Sequence, residues 1–199
     1  MQKYYSRQAF WYDATRWSFL HGRNELLRRL ELRADSRQTL LEVGCGTGRN
    51  LVRLARQYPG LQLIGVDVSK DMLARATRST LAYSRRIRLF EAPYAPNTFA
   101  LNEPIDVVLF SYSLTMFNPG WEAALDRAVQ DLHPGGKIAV VDFHNTPSGL
   151  FRRWMRHNHV RMDGHLLPAL QERFQTLYFS TRSAAAGLWQ YFLFVGEKA

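Results

Sequence analysis

The sequence has a single cysteine, Cys45, which excludes an internal disulfide and any thiolate cluster around a metal. It has no apolar run of the roughly 18 residues that a membrane span needs. Its first residues, Met1-Gln2-Lys3-Tyr4-Tyr5-Ser6-Arg7, lack the apolar core of a signal peptide, so a cytoplasmic location is expected. Linkers and repeats are missing as well, and the 199 residues, 46% of them hydrophobic, are expected to form one domain with a full core. The histidines His133, His157, His159 and His165 show no pairing that suggests a metal site.

Acidic residues are scarce in two places. Residues 75 to 88 hold Arg75, Arg78, Arg85, Arg86 and Arg88 without one acid, and residues 150 to 162 hold Arg152, Arg153, Arg156 and Arg161 in the same way. With 26 Lys+Arg against 17 Asp+Glu, the formal charge is +9. Nucleic acid, an anionic membrane surface and acidic small molecules would each explain the clusters, and so would a merely solvated basic surface.

What is present centres on Leu40-Leu41-Glu42-Val43-Gly44-Cys45-Gly46-Thr47-Gly48-Arg49-Asn50. The apolar run reads as a buried parallel strand, and the glycines as a turn that opens a helix. Glycine lets the backbone approach a ligand closely, and the helix start aims N–H groups and a positive dipole end at it, so an anionic or polar cofactor is expected here. A dinucleotide fingerprint fails, because it would need glycine at Arg49 or, in the other register, at Leu51. A phosphate loop fails for want of a Gly-Lys-Ser/Thr ending. There remain Glu42-x-Gly44-x-Gly46-x-Gly48 and a second acid, Asp67, at the end of the next strand, Leu61 to Asp67.

That pair of acids resembles the class I S-adenosylmethionine-dependent methyltransferases. The resemblance implies an α/β fold: a Rossmann-like, mostly parallel seven-stranded sheet with an antiparallel C-terminal strand and helices on both faces. It implies S-adenosylmethionine as cofactor, S-adenosylhomocysteine as product, and no metal. In that family the first acid supports the cofactor's ammonium and the second accepts both ribose hydroxyls, positions matched by Glu42 and Asp67. A carboxylate suits a ribose because it accepts two hydrogen bonds at once. Gly44, Cys45, Gly46, Thr47, Gly48 and Asn50 would line the same ligand. The stretch Ser69-Lys70-Asp71-Met72 caps a helix and is similar to a family pattern in which the methionine lies against the adenine, which adds Val68 and Met72. A strand over Arg86 to Ala92 adds Glu91, facing the adenine amino group, and Ala92. Tyr12 and Arg16, on a helical lid over residues 1 to 35, and Ser111 and Tyr112, at the edge of a strand from Ile105 to Phe110, complete the implied cofactor set.

Further along, Trp121 to Leu132 reads as a helix, His133-Pro134-Gly135-Gly136 as a turn, and Lys137 to Phe143 as a strand. Phe174 to Thr181 and Leu188 to Val195 read as a closing pair of strands. Residues 145 to 170 form a basic amphipathic insertion, in which Leu150, Phe151, Trp154 and Met155 are expected on one side of a helix. An ordinary helix packed on the sheet would show this pattern, and so would one lying on a membrane.

For the acceptor, the strand edge carries Ser111-Tyr112-Ser113-Leu114 in place of the Asn/Asp-Pro-Pro-Tyr turn of enzymes that act on nucleobases or amides. Tyr12-Asp13-x-Thr15-Arg16, Gly22-Arg23, the glycine turn, Ser111 to Leu114 and Val141-Asp142-Phe143 together resemble bacterial lipid amine N-methyltransferases, above all the betaine-lipid enzymes acting on diacylglyceryl homoserine. The resemblance implies N-methylation of an amine-bearing lipid, phosphatidylethanolamine being another such acceptor, and peripheral contact with the inner face of an anionic membrane. RNA or a small metabolite as acceptor, and a cofactor-binding module without catalysis, are the alternatives. An amine nucleophile must be deprotonated, and Tyr12, Tyr112 and His144 are the positional candidates for a base.

Overall fold

Thr39-Leu40-Leu41-Glu42-Val43 is buried at every position, and only a strand covered on both faces tolerates that. This strand, β1 (Thr39–Val43), lies near the middle of one seven-stranded sheet with β2 (Gln62–Asp67), β3 (Ile87–Glu91), β4 (Ile105–Ser111), β5 (Leu132–Asn145), β6 (Gln175–Ala184) and β7 (Trp189–Glu197) in the order β3-β2-β1-β4-β5-β7-β6. The computed structural model describes residues 20–32, 37–101 and 103–199. Tyr12, Arg16 and most of the expected lid lie outside the described residues. β1 to β5 pair in parallel, and β7 runs antiparallel between β5 and β6. The strand order reverses beside β1, so the carboxyl ends of β1 and β4 open a crevice at the switch point.

Side chains alternate across the sheet and divide the core. Leu40, Leu63, Val107, Ala139 and Leu193 face one side, with α1 (Arg23–Arg29), α2 (Arg49–Gln57), α3 (Lys70–Thr80) and α5 (Gly149–His157). Leu41, Ile64, Val108, Ile138 and Phe192 face the other, under α4 (Trp121–Asp131) and α6 (Leu166–Arg173). The helix boundaries follow local chemistry. Pro59-Gly60 stops α2 after Gln57, and the Ser69 hydroxyl accepts a hydrogen bond from the Met72 amide to start α3. Gly22, with a φ of 79°, is the N-cap of α1.

Two expectations need correction. β5 starts at Leu132 rather than Lys137, because His133 to Gly136 is a bulge within the strand and not a turn before it: the pairing with β4 jumps from Leu132 to Lys137, with Gly135 at φ 79°. In α5 the four apolar residues do not share one side. Phe151 and Met155 turn inward, with the Phe151 ring stacked 5.8 Å from Trp189, whereas Leu150 and Trp154 are 85% and 53% exposed. Each pair is four residues apart and the two pairs are offset by one position, about 100° around a helix.

Candidate functional site

The crevice is built by the turn after β1. The amides of Gly44 and Cys45 both donate to the Val66 carbonyl, at 2.8 and 3.1 Å, tying the turn to the end of β2. At Gly44, φ is 71° and an added Cβ would come within 2.7 Å of the Ser113 Cβ, so glycine is required by conformation and by packing. At Gly46, φ is 54° and an added Cβ would meet nothing within 4 Å. This residue therefore turns its bare backbone toward open space. Cys45 faces the other way: its sulfur lies against Gly65, and burial pushes its thiol up, away from nucleophile chemistry.

Two acids flank the turn. Asp67 accepts the Gly46 amide at 2.8 Å on one oxygen and the Ser69 amide at 2.9 Å on the other. Each oxygen can take a second donor, so the geometry suits a vicinal diol. Glu42 is 2% exposed, and its Oε1 accepts from Asn50 Nδ2 at 2.6 Å, while its Oε2 is buried with no hydrogen-bond partner. Burial pushes this carboxyl up to about 7, against the opposing pull of Asn50 and of the Arg23 charge. An orphaned buried carboxylate oxygen calls for a donor, and a ligand ammonium supplies one.

Two concavities meet at Gly44, Gly46 and Met72. One, of about 300 Å³, runs from Asp67, Val68 and Met72 past Ala92 to Tyr112 and Phe117. The other carries Glu42, Cys45, Thr47 and Asn50 together with Arg23 and Tyr191. The structure thus gathers most of the implied cofactor residues around one turn. Gly48 lies behind it as the N-cap of α2, where an added Cβ would press on Thr80 and Ala76 of α3.

Other residues stand elsewhere. Glu91 is exposed and reaches Lys70 at 3.7 Å outside the crevice, and Ala92 occupies the lining position in its place. Ser111 lines neither concavity, and its hydroxyl accepts from Arg23 Nε at 2.9 Å. Tyr112 is buried with φ 57° and donates its phenol proton to the His21 carbonyl at 2.8 Å, and burial holds its pKa far above the ordinary value. A phenol held this way does not serve as a base at neutral pH. His144 lines neither concavity either. It packs on Phe192 with Gly164 beside it, on the α4 and α6 side of the sheet, while Tyr112 packs on the opposite side.

Three contributors stand in the sequence only as members of the resemblance motifs, with no role attached to them there. Arg23 bridges α1 to Ser111 and places its charge near Glu42, although no periodicity marks it. Ser113 locks the crevice by donating to the Val43 carbonyl at 2.9 Å. Asp142, fully buried, accepts hydrogen bonds from the Thr115 hydroxyl, the Thr115 amide and the Phe143 amide, and so fastens the loop after β4 to β5.

Residues 40–136 match a family model described as a methyltransferase domain. The demethylmenaquinone methyltransferase of Thermus thermophilus is 31% identical over 115 residues, which are 56% of this chain and 50% of that protein. A trans-aconitate 2-methyltransferase of Rhodopseudomonas palustris is 33% identical over 131 residues, 65% of this chain and 48% of that protein. The chain therefore spans about half the length of these curated relatives. In fold it is similar to the N-methyltransferase NodS of Bradyrhizobium japonicum, solved with S-adenosyl-L-homocysteine, at a TM-score of 0.68 and 21% identity over 88% of this chain and 84% of that one. Glu42, the glycine turn and Asp67 all fall inside the matched stretch, so the part of the chain that builds the crevice is the part that is similar to a methyltransferase domain.

Proposed function

We propose that this chain transfers a methyl group from S-adenosylmethionine to the amine of a membrane-lipid head group, in the class of diacylglyceryl homoserine and phosphatidylethanolamine. The bound cofactor supplies an electrophilic methyl on a sulfonium, and the protein's part is alignment for in-line displacement. Asp67 holds the ribose, Gly46 lets the cofactor backbone approach, and Glu42 with its orphaned oxygen meets the ammonium. The Ser113 to Phe117 loop, fastened by Asp142, forms the wall on which the acceptor is set. No residue is assigned as base: Tyr112 has its proton committed, and the acceptor amine enters deprotonated.

The observation that carries the lipid reading is α5. Its outward pair, Leu150 and Trp154, stands among Arg152, Arg153 and Arg156 at the carboxyl edge of the sheet, an arrangement suited to an anionic membrane surface. A small acidic acceptor is the second reading, favoured by the trans-aconitate relative and by the same arginines. Mass spectrometry of lipids from cells producing the protein separates the two. Methylated head groups that appear with the wild type and not with Asp67→Ala support the lipid reading. An unchanged lipid profile alongside methyl esters of organic acids replaces it with the second.

A further inference from the structure

A third concavity, of about 430 Å³, lies where the loops after β4 and β5 meet, walled by Arg152, Arg156, Arg161, His159, Asn118 and Asp163. Its shape is fixed by backbone. The Arg161 amide donates to the Thr115 carbonyl at 3.1 Å, the Asn118 side chain donates to the same carbonyl at 2.6 Å, and the Val160 amide reaches back to Met155 at 2.9 Å. His159 sits in the left-handed region at φ 61°, a conformation that non-glycine residues keep only where the surroundings impose it.

The charge of the wall is lopsided. Three guanidinium groups face one carboxylate, and that carboxylate is already engaged: Asp163 accepts from Arg161 at 2.8 Å on one oxygen and contacts the His165 ring with the other. Arg152 is held in place by the Thr146 carbonyl and by Asn145 Oδ1 at 3.1 Å, yet its Nε is buried with no partner. Among the described residues, the Arg156 guanidinium makes no hydrogen bond or ion pair. Donors left unmatched in a formed concavity favour an acceptor from outside, and guanidinium forks match the oxygens of phosphate and carboxylate.

The position gives the anion a role. Asn118 faces this concavity, while Met116, Phe117 and Pro119 of the same loop face the crevice of Asp67 and Gly46. A ligand whose acidic group rests on the arginines therefore lies one loop away from the cofactor crevice. We infer that Arg152, Arg156 and Arg161 form an oxyanion subsite that anchors the phosphate or carboxylate of the methyl acceptor. The link to the acceptor rests on the proposed methyl transfer, and the anion site itself rests on the geometry alone.

Calorimetry on the full chain with inorganic phosphate and with citrate tests the site, using Arg156→Ala and, as the control, Arg153→Ala, an exposed arginine of the same helix that does not line the concavity. The expected result is at least tenfold weaker anion binding in Arg156→Ala, less than twofold change in Arg153→Ala, and unaltered S-adenosylmethionine affinity and thermal midpoint in both. Equal losses in the two variants would reduce the site to general surface charge, and no anion binding by the wild type would remove it. Soluble phosphoethanolamine and phosphatidylethanolamine vesicles, run as methyl acceptors, identify the source of the anion, and a raised KM in Arg156→Ala with either one ties the subsite to the acceptor. Methylation of either acceptor with an unchanged KM in Arg156→Ala overturns the subsite and leaves the lipid reading standing. Anion binding that depends on Arg156 with neither acceptor methylated supports the site and sinks the lipid reading.

Discussion

At the scale of single residues, Glu42 couples the crevice to pH. Burial raises its carboxyl from an ordinary 4.5 to about 7, so between those values the native state holds a proton that the unfolded chain has lost. Stability contributed this way is complete below 4.5, falls as pH rises through the window, and is lost above 7, a change of about 3 kcal/mol. Asp142, raised by burial to about 6, acts in the same direction over a lower window. Glu42→Gln should therefore flatten the decline in urea midpoint between pH 5 and 8 without abolishing it, since the Asp142 share remains. An unaltered pH profile in that variant would mean Glu42 is not buried as a titrating acid. Asp67→Ala acts on the ligand instead, leaving the ribose hydroxyls without a charged acceptor, and should weaken S-adenosylmethionine binding by about 1.5 to 3 kcal/mol. Calorimetry showing full affinity in a folded Asp67→Ala protein would remove the ribose assignment. Gly46→Val has room in the protein itself, so it should fold with a modest strain penalty from its positive φ and lose cofactor binding because the branched side chain fills the approach. Normal binding would place the cofactor elsewhere.

At the scale of elements, the strands were readable because β1, β2 and β4 are continuous apolar runs bounded by turn residues, and the cofactor turn because its glycines sit between two acids. What could not be read was direction at strand ends. Alternating side chains mean that one position decides which face a residue takes, so the acid expected to face the crevice from β3, Glu91, stands outside it and Ala92 lies within. His144 fails for a related reason: the β5–β7 register shifts between Phe143 and Asn145, a bulge without a sequence signature. Arg23 acts through contacts 88 residues away in sequence, beyond any local pattern. The Asp142 fastening is equally long-range, and it makes a prediction at this scale. Thr115→Val keeps the side-chain volume but removes the hydroxyl that donates to a buried carboxylate, so it should cost about 1 to 3 kcal/mol in chemical denaturation. A variant as stable as the wild type would show that the backbone donors to Asp142 suffice.

At the scale of the molecule, a net charge of +9 needs a partner or a solvent role, and the geometry of α5 separates the choices. Among the described residues no helix is long and apolar enough to cross a membrane. On a membrane, Trp154 enters the interface while Arg153 and Arg156 meet anionic head groups at about 1 kcal/mol each, so a double Arg→Ala variant should lose about 2 kcal/mol of vesicle binding, roughly thirtyfold. That share vanishes at high salt, where the screening length shrinks to about 3 Å near 1 M. The share carried by Trp154 is apolar and persists, so Trp154→Ala should weaken binding in both low and high salt. Sedimentation with anionic and neutral vesicles reads both contributions, and unchanged cofactor affinity in each variant shows that the crevice is intact. A wild type that ignores both kinds of vesicle but binds RNA with a steep salt dependence would reassign the arginines to nucleic acid, because phosphate contacts release counterions whereas an exposed tryptophan beside them does not.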